Sequence, residues 1–325
     1  MYTPDYLILK QWIVAQFRDT RPGKFGEFIQ GVKKDPNDGQ KVIALTFDAC
    51  GGRHSGYNAK LIEYLRQEKL PATLFVTGLW IDKNPETFRD LANDPLFEIA
   101  NHRLMHRTCS INGRTAYRIR ATRDIGDVVD EMELNARKIA AISGRRPVFF
   151  RSATAYTDEA SVRIARRLGM EVISYDILSG DAMRSSAKTM ARNIVKGARH
   201  GAVVLMHFHR PEWREMEALQ AAVPALRLNG YTFARLADLK PAELYISTAG
   251  VAGPGISTAP AAGPGARSAA ARRRARRASA AALRARTATP AGPVASTAAI
   301  VADAGISTVP AAVPGISAAP ASGNK

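Results

Sequence analysis

The chain runs to 325 residues, 46% of them apolar and 23% charged, and carries a formal net charge of +17 with only two cysteines. That is enough apolar material for one large domain or two ordinary ones, and two cysteines are too few for a disulfide-built scaffold. No run of about 18 apolar residues marks a membrane span, and the basic balance favours anionic partners such as acidic glycans, teichoic acids, phospholipid headgroups or nucleic acid without choosing among them.

Residues 1–40 read as an N-terminal extension, an amphipathic segment followed by a polar loop rich in Gly, Pro and Lys. The apolar stretch 6–14 follows Asp5 and is interrupted by Lys10 and Gln11, which makes it a poor signal peptide. The first predicted strand, 42–47, is a short β-branched apolar run between turn signals, as expected of a strand buried on both faces of a parallel sheet. Six similar runs follow at 72–76, 97–100, 147–151, 172–175, 203–207 and 231–234, with helix-period segments between them. The clearest helix starts at an N-cap candidate, Asp124, keeps Ile125, Val128, Val129, Met132, Ala136 and Ile139 on one stripe, and stops at Gly144 and Pro147. Another opens at residues 157–159 and closes at Gly169. Seven strands alternating with helices over 41–240 predict an α/β domain of parallel βαβ units, either a doubly wound sheet or a barrel.

The remainder, 241–325, is predicted to be a disordered tail rich in Ala, Pro, Gly and Arg. From residue 246 it has no aromatic side chain and sets nine basic groups against the single Asp303. Segments 255–265 and 305–315 match at nine of eleven positions, a degenerate repeat too short for a solenoid unit and suited to a flexible stalk.

Functional groups in either α/β architecture gather where strands end. Asp48 follows the first predicted strand, His102 and His106 the third, and Asp176 and Asp181 the fifth; Arg151 ends the fourth and His207 the sixth. In a helical turn the i, i+4 pair His102 and His106 would share one face, with Cβ atoms about 5–6 Å apart, and imidazole suits zinc and similar metals. Two surface histidines are the plain alternative. Asp48 could accept a proton from an attacking water or bind a metal directly, against the simpler role of a turn or cap residue. Arg151 could pair with that carboxylate. His207 could protonate a leaving amine if Asp176 or Asp181 oriented it and raised its pKa, and His209 lies two positions on.

These residues resemble, in order and spacing, the polysaccharide deacetylases of the NodB-like, carbohydrate esterase family 4 type. Residues 42–48 look like the family's first motif, 98–106 its His-x-x-x-His motif, 149–151 the third, 175–181 the fourth and 203–207 the fifth. The resemblance implies a distorted, incomplete (β/α)7 parallel barrel that hydrolyses N-acetyl, occasionally O-acetyl, groups on an acetylated glycan. It also implies a divalent metal, zinc first, on His102 and His106, with Asp48 as general base, Arg151 its partner and His207 the general acid. Asp181 would orient His207, with Asp176 as second choice, and a backbone amide just beyond Arg151 would serve the oxyanion. Such a substrate points to the cell envelope or exterior.

The family's first motif usually places a second Asp, a metal ligand, directly after the base, and here that position is Ala49. The third ligand is therefore open among Asp48, Cys50 and water. Cys50 and Cys109 have three candidate fates: a thiolate ligand, a disulfide across the barrel mouth, or inert burial. Arg103 stands where the second motif prefers Ser or Thr, and residues 152–154 replace the prolines and aromatic of the third. Two other readings compete. One is a carbohydrate-binding pseudo-enzyme that has lost the metal. The other is a nucleic-acid or anionic-polymer binder acting through the Arg-rich run 272–277, which lacks stacking aromatics and a folded reader beside it. As a tether to anionic envelope polymers the same run fits the enzyme reading.

Overall fold

The computed structural model describes residues 2–29, 41–52 and 55–239; the predicted tail and the loop 30–40 lie outside the described residues. The N-terminal extension opens with α1 (Pro4–Phe17), which has Pro in its first turn, where the missing N–H costs nothing. It buries Tyr6, Ile13 and Phe17 against Val128, Val129 and Met132. Asp130 accepts from both Tyr6 and Lys10. Next comes β1 (Phe25–Gly26), which pairs antiparallel with a later two-residue strand.

The domain proper begins with β2 (Val42–Ala49), α2 (Ala59–Gln67), β3 (Ala72–Val76), α3 (Gly78–Lys83), α4 (Pro85–Asn93) and β4 (Phe97–Asn101). A long loop leads to α5 (Ile125–Val129), a π-helical turn (Asp130–Leu134) and α6 (Asn135–Ser143). Then follow β5 (Phe149–Phe150), β6 (Thr157–Asp158), which is the partner of β1, α7 (Glu159–Arg167), β7 (Glu171–Val172) and β8 (Ile177–Leu178). The last elements are α8 (Ala187–Gly197), β9 (Ala202–His207), α9 (Glu215–Leu228) and β10 (Thr232–Ala234). Asp124 caps α5 through Asp127 N–H, Asp158 caps α7 through Ser161 N–H, and Gly144 ends α6 at φ 70°, as the sequence signals indicate.

All strands except β1 and β6 form one parallel sheet in the order β7-β5-β4-β3-β2-β9-β8, with β10 beside the first half of β2. The sheet curls into the expected incomplete barrel, which is open between β7 and β8. Side-chain parity along each strand sorts the core. Ile43, Leu45, Phe47 and Ala49 of β2, Leu74 and Val76 of β3, and Val204 and Met206 of β9 face the helices, packing with Leu61, Leu65, Trp80 and Leu219. Ala44, Phe75, Ala100, Phe149 and Val203 fill the interior with Leu236. Asp48, Arg151 and His207 continue the inward set, so sheet parity alone brings all three to the mouth of the barrel.

The structure departs from the sequence reading in three places. An eighth parallel strand, β8, follows β7 with no helix between; two residues are too short a run to register as a strand. The helix predicted from Asp124 is continuous, but it contains the π turn, which the apolar stripe cannot reveal because one extra residue merely shifts its phase. Residues 102–106 are not a helical turn: they form an irregular loop in which Arg103 (φ 77°) and His106 (φ 57°) take left-handed backbone.

Candidate active site

The loop after β4 owes its shape to the π turn. Leu104 N–H donates to Glu131 O, Met105 N–H to the Glu131 carboxylate (3.0 Å), and Asn101 Nδ2 to Met132 O (2.8 Å). Thus pinned, the loop brings the His102 and His106 rings to 5.1 Å between centroids, the closeness expected of them although no helix supplies it. His102 Nδ1 lies 2.9 Å from Arg151 O. Since a carbonyl only accepts, Nδ1 carries the proton and Nε2 presents its lone pair to the mouth. Nε2 faces Cys50 Sγ at 3.8 Å and Asp48 Oδ2 at 3.7 Å. Burial holds both imidazoles well below their ordinary pKa, the Arg103 charge and neighbouring imidazoles adding to it, so both are neutral and able to ligate.

Cys50, His102 and His106 together offer three ligand atoms within 4.8 Å of one another. Tetrahedral zinc, with bonds of about 2.1 Å to nitrogen and 2.3 Å to sulfur, needs donors spaced about 3.5 Å apart, so this donor set suits such an ion with small side-chain adjustments. Both cysteines are free, so the disulfide fate is not realised. Cys109 is buried, its Sγ 3.5 Å from Arg103 Nη1, and burial pushes its thiol up to about 11.

On one side of these donors Arg151 and Asp48 form a buried pair, Nη1 to Oδ1 at 2.7 Å. The same guanidinium donates to Ser174 O (3.0 Å), bridging toward the open seam of the barrel, and lies 4.1 Å over the Phe75 ring. On the other side His207, register partner of Asp48 across β2 and β9, has its Nδ1 3.1 Å from Asp181 Oδ2. Asp181 also accepts from His207 N–H (2.6 Å), Ser179 Oγ (3.0 Å) and Ala182 N–H (2.8 Å), so its carboxylate is fixed from four directions. Burial works against a charge on His207, but the Asp181 carboxylate prevails and holds its pKa well above the ordinary value. Asp176 is elsewhere: it pairs with Arg199 and accepts from Val203 N–H at the start of β9. That is four residues, roughly 13 Å, from His207 along the strand.

Beyond Arg151 the chain turns through Thr154 (φ 61°) and Ala155 (φ 60°). With Arg103 and His106, and with Tyr117 and Arg118 farther along the loop after β4, this makes six non-glycine residues in left-handed backbone in the two loops bordering the site, a concentration of strain typical of functional loops. Ser152 Oγ accepts from Cys109 N–H at 3.1 Å, tying these loops together. Two further groups join the site without a local sequence signal. Trp213 sets its ring edge-on to His207 and His209, at 5.7 and 5.8 Å. Glu215, at the start of α9, is fully buried with Oε2 3.2 Å from Asn58 Nδ2 and Oε1 unpartnered. An acid in the first turn of a helix ordinarily needs no other explanation. His209 shares the face expected of it; burial, then the neighbouring His207, lowers its pKa to about 3, and its Nδ1 lies 3.3 Å from Asp48 O.

Known proteins give this geometry its context. Residues 35–173 match the family model described as polysaccharide deacetylase. A peptidoglycan-N-acetylglucosamine deacetylase of Bacillus cereus is 25% identical over 207 residues, 63% of this chain and 90% of that protein. A peptidoglycan-N-acetylmuramic acid deacetylase of Bacillus subtilis is likewise 25% identical, over 62% of this chain and 73% of its own length. Among solved structures, a peptidoglycan N-acetylglucosamine deacetylase shares the fold, with a TM-score of 0.55 at 21% identity over 67% of this chain and 93% of that one. With the motifs in sequence order and the parallel half-barrel that carries them, residues 35–173 of the chain form a domain that matches the polysaccharide deacetylase family.

Proposed function

We propose that this protein is a metal-dependent hydrolase that removes acetyl groups, N-acetyl foremost, from an amino-sugar glycan. The observation that carries the reading is the opposition of two buried pairs, Asp48–Arg151 and His207–Asp181, across a cluster of neutral metal-ligating donors. His102 and His106 would hold a first-row divalent ion, zinc in the first instance, since imidazole donors favour it. When bound, the metal supplies Lewis-acid polarisation of the acetyl carbonyl. Asp48, anchored by Arg151, takes the proton of the attacking water. His207 enters the reaction as imidazolium, steadied by Asp181, and gives its proton to the departing amine. A backbone N–H of the turn after Arg151 supports the developing oxyanion.

Peptidoglycan is the first substrate to try, because both of the bacterial relatives named above are peptidoglycan deacetylases, and their names support a site of action at the cell envelope. Among the described residues no helix is long and apolar enough to cross a membrane. The Arg-rich run 272–277, outside the described residues, would serve as a tether to anionic wall polymers. Removing residues 246–325 should then lower retention on wall material without lowering turnover of a small soluble substrate.

The test is acetate release by the full-length protein from N-acetylated glycans, with metal content measured in parallel. The reading expects about one equivalent of metal, lost in a His102→Ala/His106→Ala double variant, and acetate release that Asp48→Asn abolishes. Ala49 motivates a second reading, a carbohydrate-binding relative without catalysis. Glycan binding with no acetate from any substrate at full metal occupancy, or with no metal at all, would select it.

A further inference from the structure

We propose that Cys50 is the third protein ligand of the metal, so that a thiolate fills the place left by Ala49; this rests on the metal-dependent reading above. The neighbours of Cys50 on β2 are poorly suited to supply the ligand. Ala49 has no donor, and its methyl group belongs to the outward set, fully buried in the helix-facing layer with Phe47 and Trp80. Asp48 faces the mouth, but its Oδ1 is engaged by Arg151 at 2.7 Å. Its other oxygen, Oδ2, 3.7 Å from His102 Nε2, is the one left to accept the proton of the attacking water, so ligation through it would leave the proposed reaction without its base.

Cys50 has neither difficulty. It is the next residue after Asp48 in the inward series 44, 46, 48, and the strand end that carries it is fixed: Ala49 O accepts from Thr77 N–H (3.1 Å) and Thr77 Oγ1 (3.0 Å). Immediately beyond it Gly51 and Gly52 take φ 78° and 99°, and a Cβ on Gly51 would meet Leu79 Cβ at 2.7 Å. The chain therefore turns away against α3 where only glycine fits, leaving the Cys50 side chain at the rim, 3.8 Å from the lone pair of His102 Nε2. Among the described residues the cluster of three donors found is this one, with both imidazoles in it; Asp48 is not a member. The two histidines identify the site independently of the thiol.

The substitution keeps the formal charge of the donor set at minus one, as with a single carboxylate, and changes its softness. Thiolate with two imidazoles selects zinc or cobalt and disfavours magnesium and manganese, which prefer oxygen.

The experiment strips the full-length protein with a chelator, reloads it with cobalt(II), and records near-ultraviolet and visible spectra beside those of Cys50→Ser, Cys50→Asp and His102→Ala. The proposal expects one cobalt per chain and a sulfur-to-cobalt charge-transfer band in the parent. Both Cys50 variants lose the band; Cys50→Ser also loses at least about tenfold in affinity, as even weaker perturbations of metal sites do, and Cys50→Asp recovers part of that loss. One cobalt bound through His102 with no such band in the parent overturns the thiolate ligand and leaves the deacetylase reading standing. A band that survives in Cys50→Ser overturns it as well, by assigning the sulfur elsewhere. Failure of the parent to bind cobalt overturns the metal-dependent reading itself.

Discussion

Replacing Asp181 by Asn removes a charge while keeping the shape of the side chain. In the parent, Oδ2 faces the backbone N–H and Nδ1 of His207 at 2.6 and 3.1 Å, while Oδ1 receives Ser179 Oγ and Ala182 N–H at 3.0 and 2.8 Å. An Asn amide has one oxygen for these two sets of donors, so its NH2 must face one of them. Even if the oxygen stays with His207, the imidazolium exchanges a charged acceptor for a neutral one. A hydrogen bond to a charged group is worth about 1.5–3 kcal/mol against about 1 for a neutral one, and losing it altogether costs one to two powers of ten at about 1.4 kcal/mol per decade. Without the carboxylate, burial is left to pull the His207 pKa down. Asp181→Asn should therefore lower kcat about 10- to 100-fold near neutral pH and move the alkaline limb of the kcat profile to lower pH, with metal content unchanged. The assay is acetate release across pH on metal-replete enzyme. A fall in kcat with the alkaline limb unmoved would rule out this role, because Asp181 would then act on something other than the proton of His207.

Two further outcomes are expected. Arg151→Leu leaves the Asp48 carboxylate, 3% exposed, without its counter-charge and also frees the carbonyl of Ser174, so it should destabilise the fold by roughly 3–5 kcal/mol; a urea-unfolding difference under about 1 kcal/mol would mean that the pair is effectively solvated. Glu215 concerns pH. Burial first, then the nearby Asp181, raises its pKa from 4.5 to about 8. A folded-state value above the unfolded one means that this group's contribution is complete below about 4.5 and is lost as pH rises through about 8. Glu215→Gln, fixed in the neutral form, should match the parent near pH 4 and be the more stable of the two near about pH 9, as read by thermal unfolding; a difference independent of pH would show that Glu215 is solvated.

The elements differ in how much of them local sequence could carry. Strands β2, β3, β4 and β9 are long enough, and apolar enough on both faces, to announce themselves, and each ends within a residue or two of its expected position. The caps Asp124 and Asp158 and the left-handed Gly144 are local devices and were equally legible. Strands β5, β7 and β8 are only two residues each, held by their neighbours rather than by their own propensity, so their limits could not be read from composition. The His102–His106 spacing suggested a helical turn, yet the loop is shaped by contacts with Glu131 and Met132, about thirty residues on, which no local window includes.

Which ionisable and metal-ligating groups stand at which strand ends was legible in the sequence alone. Apolar periodicity follows from the period of each element, and chemical groups that interrupt it at strand exits stand out against the core. Tertiary structure alone decided which of those groups meet. The curl of the sheet and the register of β2 against β9 place Asp48 beside His207, and β8, running alongside β9, leaves Asp176 at its start against Val203 and leads the chain on to Asp181 at His207. The strand end fixed by Thr77 sets Cys50 against His102, and α9 buries Glu215 within electrostatic reach of Asp181. These are encounters between segments distant in sequence. They are governed by the packing of whole elements and by desolvation, and neither can be summed from residues one at a time.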